Sequence, residues 1–167
     1  MKLFKIMSIV LILITISCFN DFEGTSLSFQ EIKKTDDKFL TFSVKFKANK
    51  NINIEENYGL FCPLVTNDYS NENTIKEKYV FNSYLMDSSI TNDSTLHFTD
   101  ASFYEQDTTG VHGSDYLEKE KILKILNTKT DCIECRVFQI RYMSRKGFYH
   151  SKPFCIPKDS ILKELKN

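Results

Sequence analysis

A strict alternation of apolar and polar residues at positions 40–48 constrains the fold of this chain more than any other feature of its sequence. A period of two places successive side chains on opposite faces of a β-strand, whereas a helix would scatter the same set around its circumference. The segment therefore predicts an antiparallel strand with one face buried and the other in solvent. The apolar set is Leu40, Phe42, Val44, Phe46 and Ala48, and the polar set is Thr41, Ser43, Lys45 and Lys47.

Apolar segments elsewhere bring the predicted total to about seven strands. A first strand contains Leu27 and Phe29, and a turn at 35–38 separates it from the next. Pro63 falls inside a third strand, which we expect at a sheet edge or a bulge because proline cannot donate to a ladder. This third strand is predicted at 58–65, and the remaining four at 79–86, 96–104, 136–143 and 148–156, with a hairpin turn at 144–147 between the last two. The pattern predicts a mainly β fold, most simply an antiparallel β-sandwich with immunoglobulin-like architecture.

Two segments break the β pattern and predict short helices. Residues 115–118 have the spacing of a capping box, so we expect a helix of about three turns that ends at Leu126. A strand ending at the same residue is the alternative. Near the end of the chain, Pro157 stops the preceding strand, and Asp159 or Ser160 can cap a closing helix. The apolar residues of that helix are Ile161, Leu162 and Leu165.

The first 17 residues have the pattern of a secretory signal peptide. Lys2 and Lys5 precede a nearly unbroken apolar run over 6–16. Extended to Phe19, this run has 14 residues without a charge, which is fewer than the roughly 18–20 needed to cross a bilayer. We therefore expect residues 1–17 to be removed rather than to form a transmembrane span.

The apolar run ends in Ile14-Thr15-Ile16-Ser17-Cys18. This ending resembles the lipobox of bacterial lipoproteins, in which a small residue precedes a cysteine that becomes diacylated and is usually acylated on its amino group too. The resemblance implies cleavage between Ser17 and Cys18 and lipid, such as palmitate, on Cys18. Two or three acyl chains hold a protein on a membrane far more durably than one. An ordinary secreted protein is the alternative.

The resemblance implies three segments: a signal peptide at 1–17, a lipidated tether at 18–26 and a single β-rich domain at 27–167. Phe19 occupies the position at which aspartate retains enterobacterial lipoproteins in the inner membrane, so the resemblance favours the outer membrane. A composition rich in lysine, asparagine and isoleucine is similar to that of Bacteroidota. The expected location is the cell envelope, with the face of the membrane left open.

Four cysteines remain once Cys18 is assigned to lipid, and an even number in an exported chain favours disulfide bonds. Spacing alone allows three pairings. Across the predicted hairpin Cys135 would face Cys155, whereas a bond between Cys132 and Cys155 would suit a splayed base. We expect Cys155 to bond to one of these two cysteines and Cys62 to bond to the other.

Cys132 and Cys135 also form a C-x-x-C motif, which invites a redox or a zinc interpretation. A redox motif lies at a helix start, where the dipole lowers the thiol pKa, but a strand follows here. A four-cysteine zinc site normally has a second C-x-x-C, and Cys62 and Cys155 stand alone. Both interpretations are therefore disfavoured.

The rest of the chain lacks the common signatures of catalysis. His97, His112 and His150 are isolated in sequence, and no nucleophile elbow, P-loop or zinc-protease motif occurs. We therefore predict no catalytic residue, no metal and no cofactor, and a protein that is not an enzyme.

Charge argues against a nucleic-acid partner. The 22 basic and 22 acidic residues balance, and loss of Lys2 and Lys5 with the signal peptide would leave a net charge of −2. Affinity for nucleic acids comes largely from neutralising phosphates, which such a chain does poorly. The prediction is a membrane-anchored lipoprotein that binds a partner such as a protein of the envelope, or that serves as an envelope component. The alternatives are an immunity or inhibitor lipoprotein that neutralises a toxin or hydrolase in the periplasm, and a hydrolase with an unrecognised site.

Overall fold

β-Strands dominate the structure between Gly24 and Lys166. The computed structural model describes residues 24–49, 58–65, 78–83, 96–107, 114–129, 131–140 and 148–166. The strands in this part are β1 (Leu27–Asp36), β2 (Thr41–Ala48), β3 (Tyr58–Pro63), β4 (Tyr79–Asn82), β5 (Leu96–Glu105), β6 (Asp115–Tyr116), β7 (Cys132–Ile140), β8 (Phe148–His150) and β9 (Phe154–Pro157). The helices that the same residues form are α1 (Lys119–Asn127) and α2 (Lys158–Lys166), and neither is long and apolar enough to cross a bilayer.

The nine described strands belong to one antiparallel sheet. Its order is β1-β2-β5-β4-β3-β7-β8, with β6 paired to β5 and β9 paired to β7. The sheet curls until β1 and β9 lie side by side, so that its shape approaches a closed barrel.

Two long strands, β5 and β7, produce the curl because the first part of each pairs with one strand and the second part pairs with another. In β5, residues 96–101 pair with β2 and residues 102–105 pair with β4. In β7, residues 132–135 pair with β9 and residues 136–139 pair with β3. Strands that pass from one part of a sheet to another form the corners of such β-structures.

The structure differs at this level from the predicted immunoglobulin-like sandwich of two sheets. The mainly β class, the antiparallel pairing and the two short helices are confirmed. Alternation identifies the inward-facing side chains, but it is the same whether the inward faces belong to two sheets or to one curled sheet. Only the ladder partners of β5 and β7 distinguish the two arrangements.

Backbone hydrogen bonds close the seam between the start of the described chain and the segment before β9. The Gly24 N–H donates to the His150 carbonyl (3.1 Å), and the Lys152 N–H donates to the Thr25 carbonyl (2.9 Å). Gly24 has φ +73°, a conformation that glycine adopts without steric cost. The start of the chain is thereby held against the last strands.

The inward faces of the strands enclose an aromatic core. Phe42 of β2, Phe81 of β4 and Phe103 of β5 are at most 1% exposed, with ring centroids 4.4–6.0 Å apart. Tilted and edge-to-face ring pairs stabilise a core beyond the area that they bury. Four residues of the alternating segment belong to this core, namely Phe42, Val44, Phe46 and Ala48.

Each helix packs one apolar stripe against the sheet. Ile122 and Leu126 of α1, like Ile161 and Leu165 of α2, lie four residues apart on one face and are at most 1% exposed. The Glu164 carboxylate of α2 also accepts a hydrogen bond from a backbone N–H of β1 (3.0 Å). The predicted closing helix after Pro157 is therefore confirmed.

Helix α1 begins later than the capping box predicts. Asp115 and Tyr116 form β6 and pair with Glu105 and Tyr104 of β5. The helix begins after Glu118, whose side chain makes no capping hydrogen bond. Pairing with β5 holds the backbone of residues 115–116 extended, and this tertiary contact overrides the local capping pattern.

Two predictions at strand ends were wrong. β3 lies between β4 and β7 rather than at an edge. Pro63 fits there because the pairing of β3 with β7 already ends at Phe61, which leaves only the ladder to β4. Leu40 precedes β2 instead of belonging to it, and it ends the turn at 37–40 with φ +47° while its side chain packs against the core.

Gly59 permits a close approach between β3 and β7. It lies opposite Phe138, whose ring occupies the space that a Cβ atom at position 59 would need. Such a Cβ would also lie 2.6 Å from the Ser83 carbonyl oxygen. An aromatic ring over a cross-strand glycine supplies the packing that glycine itself lacks.

We expect Gly59→Ala to lower the free energy of unfolding by about 1–3 kcal/mol, because an added methyl in a filled site displaces the ring or the backbone. Urea denaturation followed by circular dichroism measures the change. Ser114→Ala, at an exposed position, is the matched control and should change it by less than about 0.5 kcal/mol. An unchanged midpoint for Gly59→Ala would show that Phe138 moves aside without cost.

Candidate functional site

The four cysteines form two disulfide bonds. Cys62 of β3 bonds to Cys135 of β7, with Cα atoms 4.2 Å apart, and Cys132 of β7 bonds to Cys155 of β9, with Cα atoms 5.7 Å apart. Cys155 thus takes one cysteine of the C-x-x-C motif and Cys62 takes the other, as the sequence favoured. The register places Glu134 opposite Cys155, so Cys135 points to the other face of the sheet.

The two bonds differ in their access to solvent. Cys62 and Cys135 are 0% exposed, whereas Cys155 is exposed and Cys132 is half-buried. The sulfurs of the C-x-x-C motif therefore belong to separate bonds, one inside the barrel and one outside. In the part of the chain that the structure describes, no group of three or more histidine, cysteine or acidic side chains is arranged to hold a metal ion.

We expect dithiothreitol to reduce Cys132–Cys155 before Cys62–Cys135 in the native protein, because the attacking thiolate must reach a sulfur atom. Timed alkylation and peptide mass spectrometry measure the order. Equal rates of reduction would contradict the difference in access.

We expect Cys62→Ala/Cys135→Ala to lower the free energy of unfolding by about 3–5 kcal/mol, because the bond that it removes closes the longer loop. The bonded cysteines are 73 residues apart in that pair and 23 residues apart in Cys132–Cys155.

The two described histidines make structural contacts. His97 is buried in β5 and stacks on Phe46 with ring centroids 5.6 Å apart. His150 ends β8, and its carbonyl accepts the seam hydrogen bond from Gly24. His112 and the predicted cleavage pair, Ser17 and Cys18, lie outside the described residues.

A groove, an ion-pair cluster and the exposed hydrophobic side chains lie at the end of the sheet opposite the start of β1. β1 has ten residues, so its far end lies about 30 Å from Leu27. This distal end consists of the turn at 37–40, the residues after Pro63, the start of β4, the end of β5 and helix α1. Cross-strand pairs from Pro63 to Val80 and from Val80 to Tyr104 bring these strand ends together.

A groove of about 690 Å³ lies at the distal end, between α1 and the ends of β3 and β4. Ile122 and Leu126 hold helix α1 against the core. The neighbouring face of the helix therefore borders the groove. The apolar residues that line it are Leu64, Val65, Tyr79 and Ile125. The polar residues that line it are Glu118, Glu120, Lys121, Lys124, Thr128 and Lys129.

Glu105, beside the groove, is held between two lysines. Its carboxylate contacts the Lys121 ammonium (2.5 Å) and the Lys78 ammonium (3.4 Å). Both ammonium groups also lie over the Tyr79 ring, 4.8 Å and 5.3 Å from its centroid. The hydrogen bond from Lys121 lowers the pKa of Glu105 and raises the pKa of Lys121. The carboxylate is thereby kept ionised and engaged.

We expect Glu105→Gln to destabilise the protein at neutral pH by less than about 1 kcal/mol, since solvent screens a half-buried ion pair. The folded pKa of Glu105 lies below its ordinary value of 4.5, so its contribution is present above that value and is lost as pH falls through the folded pKa. The difference from wild type should therefore vanish in strong acid. Thermal melts across pH measure this effect.

Glu120→Gln removes an exposed carboxylate of α1 and is the matched control for that series. A constant difference between wild type and Glu105→Gln at every pH would show that packing, and not the ion pair, is responsible.

Exposed hydrophobic side chains concentrate at the same end. Phe39, Tyr116 and Val65 are the large hydrophobic residues that the described part of the chain exposes, at 40%, 48% and 57%. The Tyr116 ring lies 4.8 Å from that of Phe39 and 4.9 Å from that of Tyr104. Clusters of exposed aromatic residues are typical of binding surfaces.

Sequence reasoning missed both the groove and the Glu105 cluster. Tyr79, Glu105 and Lys121 come from β4, β5 and α1, and no spacing in the sequence relates them. The sequence does predict the apolar stripe on α1. Which strand ends lie beside that helix depends on the cross-strand register, so the groove could not be predicted.

The chain matches no protein-family model, no curated protein and no solved structure.

Proposed function

We propose that this protein is a bacterial lipoprotein, anchored in the cell envelope through lipid on Cys18, that acts by binding rather than by catalysis. The observation that carries the proposal is the position of Ser17 and Cys18 directly after a basic start and a short apolar run. Two disulfide bonds support it, because such bonds are typical of exported proteins. The outer membrane is the proposed location.

The position of Gly24, where the described part of the chain begins, supports a binding role at the distal end. Residues 19–26 separate Cys18 from β1, and β1 runs away from that point for ten residues. An anchor at Cys18 would leave the distal end directed away from the membrane. The groove and the exposed pair Phe39 and Tyr116 would then face the surrounding compartment.

Glu105 and the four cysteines, among the described residues, already have structural contacts, and this supports a binding role. Glu105 is engaged by two lysines, and the four cysteines are oxidised. A general base or nucleophile needs a group that is free to exchange a proton or attack.

An immunity or inhibitor lipoprotein is the second candidate function. It is favoured by the exposed aromatic residues Phe39 and Tyr116, since aromatic side chains dominate the energetics of protein interfaces. An adjacent gene for a secreted toxin or hydrolase would favour it further.

We expect Cys18→Ala to abolish both incorporation of radiolabelled palmitate and association with the membrane fraction, because it removes the sulfur atom that the lipobox resemblance assigns to the first lipid attachment. Labelling of expressing cells followed by fractionation measures both. Ser17→Ala keeps a small residue at the cleavage position and is the matched control, so label should persist. An unlabelled wild-type protein found outside the cell would overturn the proposal and favour a freely secreted protein.

A further inference from the structure

We propose that, in the anchored protein, the end of the sheet at which the described chain begins rests on the membrane, and that Lys47 and Lys152 contact anionic lipid headgroups there. The inference rests on the proposed lipid at Cys18 and deepens it, because it names the surface of the domain that meets the bilayer.

This proximal end gathers the backbone segments around the start of the described chain. The Lys152 N–H donates to the Thr25 carbonyl (2.9 Å), which places Lys152 beside that start. Lys47 pairs with Ser28 on one side and with Leu96 on the other. The described residues of the proximal end are 24–28, 47–49, 96–97 and 150–153.

The tether is too short for the distal end to reach the membrane. Cys18 precedes Gly24 by six residues, and a fully extended chain of that length spans about 20 Å. The distal end lies about 30 Å beyond Leu27. The seam hydrogen bonds keep Gly24 and Thr25 on the sheet, so these residues add no length to the tether. The membrane therefore meets either the proximal end or a side of the sheet.

Charge favours the proximal end over the adjoining side. Lys47 and Lys152 are exposed, and no aspartate or glutamate occurs among the described residues of the proximal end. The side formed by β1 and α2 instead mixes exposed lysines with the exposed carboxylates of Glu31 and Asp159. Because anionic headgroups attract ammonium groups and repel carboxylates, they select the surface that carries lysines alone.

The tether contributes charge of the opposite sign. Asp21 and Glu23 lie between Cys18 and Gly24, and anionic headgroups repel both carboxylates. The length of the tether therefore keeps the domain close to the bilayer, while the two lysines decide which surface turns toward it. Contact that depends on exposed charges should strengthen with anionic lipid and weaken in high salt.

Reductive methylation with formaldehyde, a neutral reagent, measures the access to each lysine in the mature lipoprotein held in lipid nanodiscs. The nanodiscs contain phosphatidylcholine alone or with phosphatidylglycerol as about one lipid in three. We expect phosphatidylglycerol to slow methylation of Lys47 and Lys152 at least about threefold, and about 1 M salt to remove the difference. Lys119 and Lys124, exposed on α1 at the distal end, should change by less than about 1.5-fold.

Charge variants test whether the lysines hold the proximal end on the membrane. Neutron reflectometry on a supported bilayer with the same anionic lipid measures the water layer between the headgroups and the protein. We expect this layer to be thinner than about 5 Å in wild type and at least about 5 Å thicker in Lys47→Glu/Lys152→Glu, because the tether permits a separation of up to about 20 Å. Lys47→Arg/Lys152→Arg keeps both charges and should match wild type.

Lys119→Glu/Lys124→Glu reverses two exposed lysines at the distal end and is the matched control, so its water layer should equal that of wild type. Circular dichroism confirms that each variant is folded. Unchanged methylation of Lys47 and Lys152 when phosphatidylglycerol is added, or an unchanged water layer in folded Lys47→Glu/Lys152→Glu, would overturn the inference and leave the anchor intact. A protein without palmitate that does not copurify with nanodiscs would overturn the anchor, and the inference with it.

Discussion

The buried bond between Cys62 and Cys135 lies where β7 changes partners, and the curl of the sheet depends on that point. Cys135 is the last residue of β7 that pairs with β9, and Arg136 is the first that pairs with β3. A covalent link from Cys135 to β3 therefore fixes the corner at which one part of the sheet meets another. The second bond, to Cys155, holds β9 on the other side of the same corner. Together they keep β9 beside β1, where the seam hydrogen bonds and α2 complete the barrel.

The same closure produces the groove. A curled sheet brings the ends of β3, β4 and β5 together at one end, and α1 covers part of that opening with Ile122 and Leu126. The helix is amphipathic, so its charged side necessarily faces outward beside the apolar residues that follow β3. Glu105 neutralises one lysine of that face, while Lys124 and Lys129 remain unpaired within the described residues. The groove thus acquires an apolar floor and a rim of lysines and glutamates from ordinary packing.

Prediction from the sequence succeeded where a local pattern has one structural solution. The alternation at 40–48 correctly identified four buried residues of β2, and the apolar stripe after Pro157 correctly identified α2. It failed where a distant segment competes with the local pattern. Asp115 has a capping pattern but pairs with β5, and Pro63 indicates an edge although β3 lies inside the sheet, because one of its two ladders ends early. Of the candidate site, the sequence revealed the C-x-x-C motif and the apolar stripe of α1, but not the groove.

The sequence by itself determined the mainly β class of this protein, the inward-facing residues of its clearest strand and the even set of cysteines outside the predicted leader. These follow from a period of two along the chain and from counting, so they need no knowledge of which segments meet. Only the tertiary structure decided that one curled sheet forms instead of two packed sheets, that Cys62 reaches Cys135, and that Glu105 lies against Lys121. Each of these depends on cross-strand partners far apart in sequence, whose choice is made by the packing of the whole core rather than by any local pattern.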